Sequence, residues 1–152
     1  MRGFQAAGKN KQDAESMNNA PAFQANWMED GSAEVRARIC TSTDNGTTGI
    51  AGEGYPALQA NLSTITYAVY DMADPTTATA SGSVTIASAI YDTLQTNPVW
   101  TDATGYNFLH TIGPTAFPTG GHVYQAEYKI TYSGGAVGWI KITGTAEAVQ
   151  TS

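Results

Sequence analysis

Side chains suited to catalysis are few in this sequence, and their spacing matches none of the common catalytic motifs. The chain has two histidines, His110 and His122. It contains no Ser-x-x-Lys, Gly-x-Ser-x-Gly or His-Glu-x-x-His run, the motifs that mark a serine nucleophile or a helical zinc site. A histidine on the inward side of a strand is more often a neutral residue bonded to a backbone carbonyl than a catalytic base, and we interpret His110 in this way. We therefore expect a protein that is not an enzyme and binds no cofactor.

Ligands for a metal ion are equally sparse. Asp71 and Asp74 fall in one predicted turn and could bind calcium together with backbone carbonyls. Aspartates that precede a proline are so common in turns that we favour a structural role and expect no metal. The one cysteine, Cys40, excludes an intrachain disulfide and a cysteine-rich zinc site. It lies on the polar side of its predicted strand with no neighbour that would lower its pKa, which indicates an unreactive thiol.

Trp139 is the residue whose position says most about binding. It falls on the otherwise polar side of the last predicted strand, between Val137 and Lys141. Either the last sheet is covered on both faces, or Trp139 belongs to a contact surface, since an exposed indole is a frequent interface anchor. The sequence leaves both interpretations open.

The elements that must position these residues are β-strands, and the clearest pair is a hairpin near the carboxyl end. Alternate residues are apolar from Tyr124 to Tyr132, and alternation resumes from Ala136 to Ile142, which is the pattern of half-buried strands. Ser133-Gly134-Gly135 between them supplies residues that tolerate positive φ. The sequence therefore predicts two antiparallel strands joined by a tight turn.

A corner rich in proline and glycine leads into this hairpin. Phe117-Pro118 is followed by Gly121-x-x-Tyr124. The ending is similar to the corner where immunoglobulin-like sandwiches place a tyrosine whose hydroxyl bonds back to the preceding loop. Tyr124 is our candidate for that tyrosine, and the alternative is that it is simply the first core residue of its strand.

Alternation predicts further strands upstream of the corner. They run from Ala33 to Cys40, over 64–70, from Ser83 to Ser88 and from Tyr106 to Ile112. The first is expected to turn its odd-numbered residues inward and its even-numbered ones, Arg38 among them, outward. The last is expected to turn Asn107, Leu109 and Thr111 away from its apolar side.

The stretch 89–100 combines helical spacing with Pro98, which prevents a helix from continuing, so we expect a bent crossover between two sheets. Counting the hairpin, about seven strands fall within residues 32–149. With turn signals between them they predict an all-β fold, a single antiparallel immunoglobulin-like β-sandwich. Residues 150–152 are expected to be a short tail.

Residues 1–31 show neither strand nor helix periodicity and are predicted to form an extended arm. Ordering about 30 residues costs on the order of 1–2 kcal/mol each. The few large apolar side chains of the arm return only about 1.5–3 kcal/mol each when buried. One alternative is a disordered tail, as is common for a polar terminus. An ordered arm is expected to hydrogen-bond to a partner, as a strand added to a neighbour's sheet. The candidate partner-binding residues are Arg2, Phe4, Lys9, Lys11, Phe23, Trp27 and Trp139.

Composition limits the classes of partner. Charged residues make up 13% of the chain and the net charge is −6. Residues 1–38 carry equal numbers of acids and bases, so the negative charge belongs to 39–152, which argues against nucleic acid as a partner. The chain opens without the apolar core of a signal peptide and has no apolar segment of membrane-spanning length. We expect synthesis in a cytoplasm and no membrane partner.

Several short motifs together form a recognisable pattern. They are Trp100-Thr101, Thr104-Gly105-Tyr106-Asn107-Phe108, Phe117-Pro118, Gly121-x-x-Tyr124 and the final hairpin with its glycines. Across residues 32–149 the chain resembles the small immunoglobulin-like virion proteins of tailed bacteriophages, which occur as head decoration proteins and as attachment domains of baseplate proteins. The resemblance assigns no binding residue.

The resemblance implies a structural protein of the phage particle, made in the host cytoplasm and located in the virion. The leading hypothesis is a capsid decoration or cement protein that binds the major capsid protein through its arm, as a homo-oligomer or in a lattice. One alternative is a carbohydrate-binding sandwich for host adsorption, with Trp139, Trp100 and exposed tyrosines stacked on sugar rings. A solvent-facing row of coplanar aromatic rings would favour it. The other alternative is a head-tail connector or baseplate component, which would be present in few copies per particle.

Overall fold

The computed structural model describes the backbone of Ala22–Gln24 and the whole of residues 27–150. Within them the chain is all-β. The strands are β1 (Ala22–Gln24), β2 (Trp27–Met28), β3 (Ala33–Ala37), β4 (Cys40–Thr41), β5 (Tyr55–Pro56), β6 (Leu62–Asp71), β7 (Ala78–Ser83), β8 (Ile90–Gln95), β9 (Tyr106–Ile112), β10 (Val123–Tyr132) and β11 (Val137–Glu147). One α-helical turn (Ile86–Ala89) and two short 3-10 turns (Gln59–Asn61 and Pro114–Ala116) connect them.

The strands form two main sheets and one small one. The four-stranded sheet has the order β1-β3-β9-β8, and the five-stranded sheet has the order β2-β11-β10-β6-β7. Strands β4 and β5 pair separately. All pairs are antiparallel except β2 with β11, which run parallel. The sequence analysis expects antiparallel pairing throughout, and β2 is too short for alternation to reveal either its presence or its direction.

One apolar core joins the two main sheets. Phe108 of β9 contacts Tyr128 of β10 edge to face, with ring centroids 5.2 Å apart, and Val35 of β3 and Ile130 of β10 are completely buried in the same core. Aromatic rings that meet edge to face add attraction beyond the burial of their area. The two sheets are therefore held together by interdigitated side chains.

The predicted hairpin is confirmed. Strands β10 and β11 pair from Val123 with Thr145 to Thr131 with Val137. The apolar positions predicted to point inward from Tyr124 to Tyr132 are all buried. Gly135 in the turn adopts φ 95°, a left-handed conformation that glycine adopts without a steric penalty.

The corner before the hairpin has the geometry predicted for it. The Tyr124 hydroxyl accepts a hydrogen bond from the Thr119 backbone N–H at 2.8 Å and donates one to the Thr119 carbonyl at 3.2 Å. The ring itself is completely buried against Phe117. Tyr124 is therefore both the first core residue of β10 and the residue that ties the preceding loop to the sheet.

Strand β3 confirms the inward positions but corrects the outward ones. Ala33, Val35 and Ala37 are buried as predicted. Arg38 and Cys40, expected on the polar face, are also buried. The strand ends at Ala37, so the alternation that holds within it does not extend to the residues that follow.

The region 78–95 differs from the prediction in its boundaries. The strand expected from Ser83 to Ser88 lies earlier, as β7, and the residues from Ile86 to Ala89 form a helical turn. The expected crossover contains strand β8. Strand β7 is rich in alanine, serine and threonine, and it carries no alternation strong enough to mark it.

Part of the predicted arm belongs to the folded body. Strand β1 pairs with β3, from Ala22 with Ala37 to Gln24 with Val35, and Trp27 pairs with Ala146 of β11. The structure thus corrects the boundary predicted at residue 32, because these backbone groups bond to the chain's own sheets. Residues 1–21, 25 and 26 of the predicted arm lie outside the described residues.

Among the described residues, none of the helices is long and apolar enough to cross a membrane.

Candidate functional site

The most elaborate polar cluster in the described part of the chain is built around Arg38. Its Nε and one terminal nitrogen donate to the two carboxylate oxygens of Glu53 at 2.8 and 2.9 Å. Its terminal nitrogens also donate to the two oxygens of Asp102 at 3.0 and 2.9 Å. The fifth donor reaches the Gly105 carbonyl at 2.6 Å. All five N–H groups of a guanidinium are therefore satisfied by two bidentate carboxylates and one carbonyl.

This arrangement joins three separate parts of the chain. Arg38 follows β3, Glu53 lies in the loop before β5, and Asp102 lies in the loop before β9. Only 3% of the Arg38 side chain is exposed. Burial would lower the pKa of Arg38, but the bonds to Glu53 and Asp102 outweigh it and raise the pKa above its ordinary value. The cation stays charged and fixes both loops to the body.

Asp102 is the acceptor on which several bonds converge. One of its oxygens also accepts from the Trp100 indole N–H at 2.9 Å and from two backbone N–H groups, those of Thr104 and Gly105. Partial burial would raise the pKa of this carboxyl, but the bonds from Arg38, from Gly105 and from Trp100 lower it to about 2. The carboxylate is therefore ionised at neutral pH, and the cluster is a structural anchor that offers no free acid or base.

Asn107 and Cys40 complete the buried polar region. The Asn107 side chain accepts from the Ile39 backbone N–H and donates to the carbonyls of Ile39 and Ala57. It is buried, not outward-facing as the sequence analysis expects. Cys40 is likewise buried, and burial together with the nearby Glu53 raises the pKa of its thiol to about 12. A protonated, buried thiol is a poor nucleophile.

The two histidines are placed apart. His110 is half-buried, and its Nδ1 lies 2.9 Å from the Tyr128 hydroxyl, a side-chain partner where a backbone carbonyl was expected. Burial lowers the pKa of His110, which favours the neutral ring. In the corner loop, His122 Nδ1 lies 2.7 Å from a carboxylate oxygen of Asp71. Within residues 27–150, neither ring is hydrogen-bonded to a serine, threonine or cysteine side chain, so neither pair belongs to a serine or cysteine triad.

The turn considered for calcium is occupied by its own hydrogen bonds. Asp71 accepts from the Ala73 backbone N–H at 2.9 Å as well as contacting His122. Asp74 accepts from the Thr76 hydroxyl at 2.7 Å. The hydrogen bond with His122 and the one from Ala73 lower the pKa of Asp71. Within residues 27–150, no three His, Cys, Asp or Glu side chains cluster closely enough to hold a metal ion.

The predicted partner-binding residues have different positions. Arg2, Phe4, Lys9 and Lys11 lie outside the described residues, and for Phe23 only the backbone, in β1, is described. The expectation for Trp27 is wrong. Only 1% of its surface is exposed, and its ring packs against Phe117 with centroids 4.9 Å apart. Trp27 is therefore a core residue and is not available to a partner.

Trp139 is exposed as one of the two interpretations requires. Its exposed fraction is 44%. It lies on the outer face of the five-stranded sheet, directly opposite Lys129 of β10. Lys141 follows two residues later on the same face, 3.7 Å from Glu127. This is the described site that offers an aromatic surface to another molecule.

Sequence reasoning did not anticipate the Arg38 cluster. Its three charged residues are far apart in the chain, and each on its own is typical of a solvated surface. The one available signal was the low charge content, because an arginine in a chain with so few bases is less readily treated as ordinary surface.

The chain matches no family model, no curated protein and no solved structure.

Proposed function

We propose that this chain is a non-enzymatic structural protein of a bacteriophage particle, a capsid decoration protein. It binds the major capsid protein through residues 1–21 and carries an immunoglobulin-like body. The observation that carries the proposal is the corner at Tyr124, whose hydroxyl bonds back to Thr119. Such a corner is a feature of immunoglobulin-like sandwiches, and the Gly121-x-x-Tyr124 run that forms it is one of the motifs that carry the resemblance to phage virion proteins.

The strand order supports the immunoglobulin-like assignment. The order β1-β3-β9-β8 corresponds to strands A, B, E and D of such domains, and β11-β10-β6-β7 corresponds to G, F, C and C′. The chain departs from antibody domains at Ala126, two residues after Tyr124, where those domains carry the second cysteine of a disulfide. Apolar packing replaces that disulfide, since Ala126 is completely buried.

The polar groups of the body favour a passive role. The Arg38, Glu53 and Asp102 cluster satisfies its own charges, and the Asp71 carboxylate is bonded to His122. The amino-terminal segment carries Arg2, Lys9 and Lys11 with no acid in its first twelve residues, so it can bind an acidic surface on a neighbouring subunit. A protein bound across subunit boundaries stabilises the assembled shell by mass action, because dissociated subunits lack the complete binding site.

The exposed Trp139 is consistent with the carbohydrate-binding alternative, but two observations argue against that alternative. Trp100, the other tryptophan considered for stacking, is buried and donates its N–H to Asp102. Of the aromatic side chains within residues 27–150, Trp139 is the one that is well exposed. A flat sugar-binding platform needs neighbouring aromatic rings on the same surface, so we favour a protein partner.

The function is tested by counting the protein in purified particles of the virus that encodes it. Quantitative mass spectrometry should find on the order of hundreds of copies, as capsid symmetry implies for a protein bound across the lattice. A handful of copies would instead indicate a connector or baseplate component. A variant that lacks residues 1–21 should fold but fail to join the particle, and its normal incorporation would refute binding through this segment.

A further inference from the structure

The exposed large apolar side chains of the body are not scattered evenly. Within residues 27–150 they are Met28, Met72, Val99, Val123, Val137, Trp139 and Val149. Four of them lie on the outer face of the five-stranded sheet, the face turned away from the core. We call this surface the outer sheet face and define it by Met28, Val123, Val137, Trp139, Glu127, Lys129, Lys141 and Glu147.

Strand alternation and register place these side chains on one face. Met28 follows the buried Trp27, and Val123 precedes the buried Tyr124. On β11, Val137 and Trp139 alternate with the buried residues Gly138, Ile140 and Ile142. Successive side chains of a strand point to opposite faces, so the exposed members of all three strands share the side opposite the core.

The same face carries the exposed positive charge of the body. Residues 27–150 contain eleven acids and four bases. Two of the bases, Arg36 and Arg38, have side chains only 12% and 3% exposed and are paired with acids. The other two, Lys129 and Lys141, are exposed and flank Trp139. The face therefore carries the exposed bases of the described body, together with the acids Glu127, which lies 3.7 Å from Lys141, and Glu147.

The charges and apolar groups are distributed unevenly along the strands of this face. Trp139, Lys129 and Lys141 lie towards the hairpin end. Glu147, paired with Met28, lies at the other end of β11. Trp139 and Glu147 are separated by roughly 27 Å at about 3.3 Å per residue. Lys129 and Lys141 outnumber Glu127 at the hairpin end, and Glu147 is the acid of this face at the other end, so the face is complementary to a copy of itself turned end for end.

We propose that a second copy of this chain packs on the outer sheet face. The two copies are related by a two-fold axis that lies in the interface plane and crosses the strands at right angles. This axis lays β11 of one copy over β11 of the other in the opposite direction. Trp139 and Lys141 of each copy then face Met28 and Glu147 of the other, which pairs the indole with an apolar side chain and the ammonium with a carboxylate.

The size of the face suits a stable dimer. Strands β6, β10 and β11 have 10 or 11 residues, but β7 has six and β2 has two. At about 3.3 Å per residue and about 4.8 Å between strands, the face presents on the order of 600 Å² per copy, the lower end of the range of specific interfaces. A standard specific interface buries about 800 Å² per partner. Antiparallel sheets pack face to face in this way, about 10 Å apart and with strands nearly aligned. The proposal does not depend on the virion function, because it rests on the described body alone.

Charge reversal in the purified full-length chain tests the pairing of Lys141 with Glu147. Sedimentation equilibrium of the unmodified chain should give a dimer at micromolar concentration. Lys141→Glu alone and Glu147→Lys alone should each weaken association at least tenfold, because each places like charges opposite one another. The double variant carrying both changes should regain most of the affinity, because the pair is restored with its signs exchanged. Trp139→Ala should weaken association without this rescue.

Asp44→Lys is the matched control for net charge. Asp44 is exposed in the loop between β4 and β5 and is not one of the residues of the outer sheet face, and its substitution by lysine changes the net charge by the same amount as Glu147→Lys. It should leave the dimer intact. Thermal melting of each variant verifies that the body stays folded.

Three outcomes would overturn the proposal: a monomer at all concentrations, a dimer that none of the face variants weakens, or a double variant no tighter than the singles. A monomer whose tryptophan fluorescence shifts on titration with neutral oligosaccharides would assign the face to sugar. A dimer that is lost and rescued as described supports the proposal whether or not the protein is later found in a phage particle.

Discussion

Arg38 shows at the scale of one residue how a buried charge is made tolerable. Taking a guanidinium out of water costs several kcal/mol, and this cost is recovered only if the pairing geometry is good and every donor is satisfied. Two bidentate carboxylates and the Gly105 carbonyl meet that condition. Because both carboxylates bond to this one cation, the cluster is sensitive to substitution. Removal of the Arg38 guanidinium leaves the carboxylates of Glu53 and Asp102 next to each other without a positive charge.

Arg38→Met should therefore lower the free energy of unfolding by about 3–5 kcal/mol. Urea unfolding followed by tryptophan fluorescence measures the loss. Arg36→Met is the matched control: it removes an arginine two residues earlier whose partner, Glu34, is half exposed and whose guanidinium lies 5.5 Å from the centre of the Tyr106 ring. We expect a smaller loss, of about 1–2 kcal/mol. Equal losses in the two variants would contradict the anchoring role of Arg38.

The lowered pKa of Asp102 predicts a pH dependence of stability. Its folded pKa is about 2, and the pKa of an aspartate in an unfolded chain is about 3.9. A lowered folded pKa contributes stability that is fully present above the unfolded value and is lost as the pH falls through the folded value. The melting temperature should therefore drop between about pH 4 and pH 2, and this part of the drop should be absent in Asp102→Asn.

Asp44→Asn serves as the comparison for that titration. Its carboxylate accepts a local bond from the Gly46 backbone N–H rather than pairing with a cation. The melting temperature of this variant should fall with acid as steeply as that of the unmodified chain. A curve for Asp102→Asn that is equally steep would show that Asp102 is not the group responsible.

At the scale of the element, hydrogen bonds of the Tyr124 side chain constrain the direction of the chain at the corner. The hydroxyl bonds to both backbone groups of Thr119 and so fixes the loop that leads into β10. Tyr124→Phe keeps the ring in the core but leaves these groups without their partner. We expect a loss of about 1–3 kcal/mol in unfolding free energy.

The control for the corner is Tyr70→Phe. Tyr70 is a half-buried tyrosine on the neighbouring strand β6, paired in register with Gln125. The loss of unfolding free energy in Tyr70→Phe should be well below the loss in Tyr124→Phe. Hydrogen exchange provides a second measurement, since the Thr119 amide should exchange faster in Tyr124→Phe than in the unmodified chain. An unchanged exchange rate would contradict the corner bond.

Elements with strong alternation could be predicted from the sequence, and weak ones could not. The strands from Tyr106 to Ile112 and from Val123 to Tyr132 carry large apolar side chains at every second position, and their inward faces are mostly as predicted. Strand β7, made of alanine, serine, threonine and glycine, has no such contrast. Arg38 and Asn107 were misassigned for another reason: burial there depends on partners from distant loops, which no local pattern encodes.

At the scale of the whole molecule, the body begins earlier than composition suggests. The residues before 32 lack periodicity, yet Ala22–Gln24 and Trp27–Met28 each add to a different sheet. This segment adds an edge strand first to the four-stranded sheet and then to the five-stranded sheet. Its two strands are so short that only the finished sheets specify them, and this is why Trp27 was predicted as a partner-binding residue.

Two truncations separate these parts of the amino-terminal region. Deletion of 1–21 should leave the unfolding free energy within about 1 kcal/mol of the full chain, because it removes none of the strands β1 to β11. Deletion of 1–31 also removes strands β1 and β2 and the buried Trp27 ring, and loss of a buried tryptophan alone costs about 3–5 kcal/mol. Urea unfolding of both variants measures the difference. Trp27→Ala in the full chain should reproduce most of the larger loss, which assigns it to the core contact with Phe117. If deletion of 1–31 proved as harmless as deletion of 1–21, residues 22–31 would not belong to the body, and the boundary first predicted at residue 32 would stand.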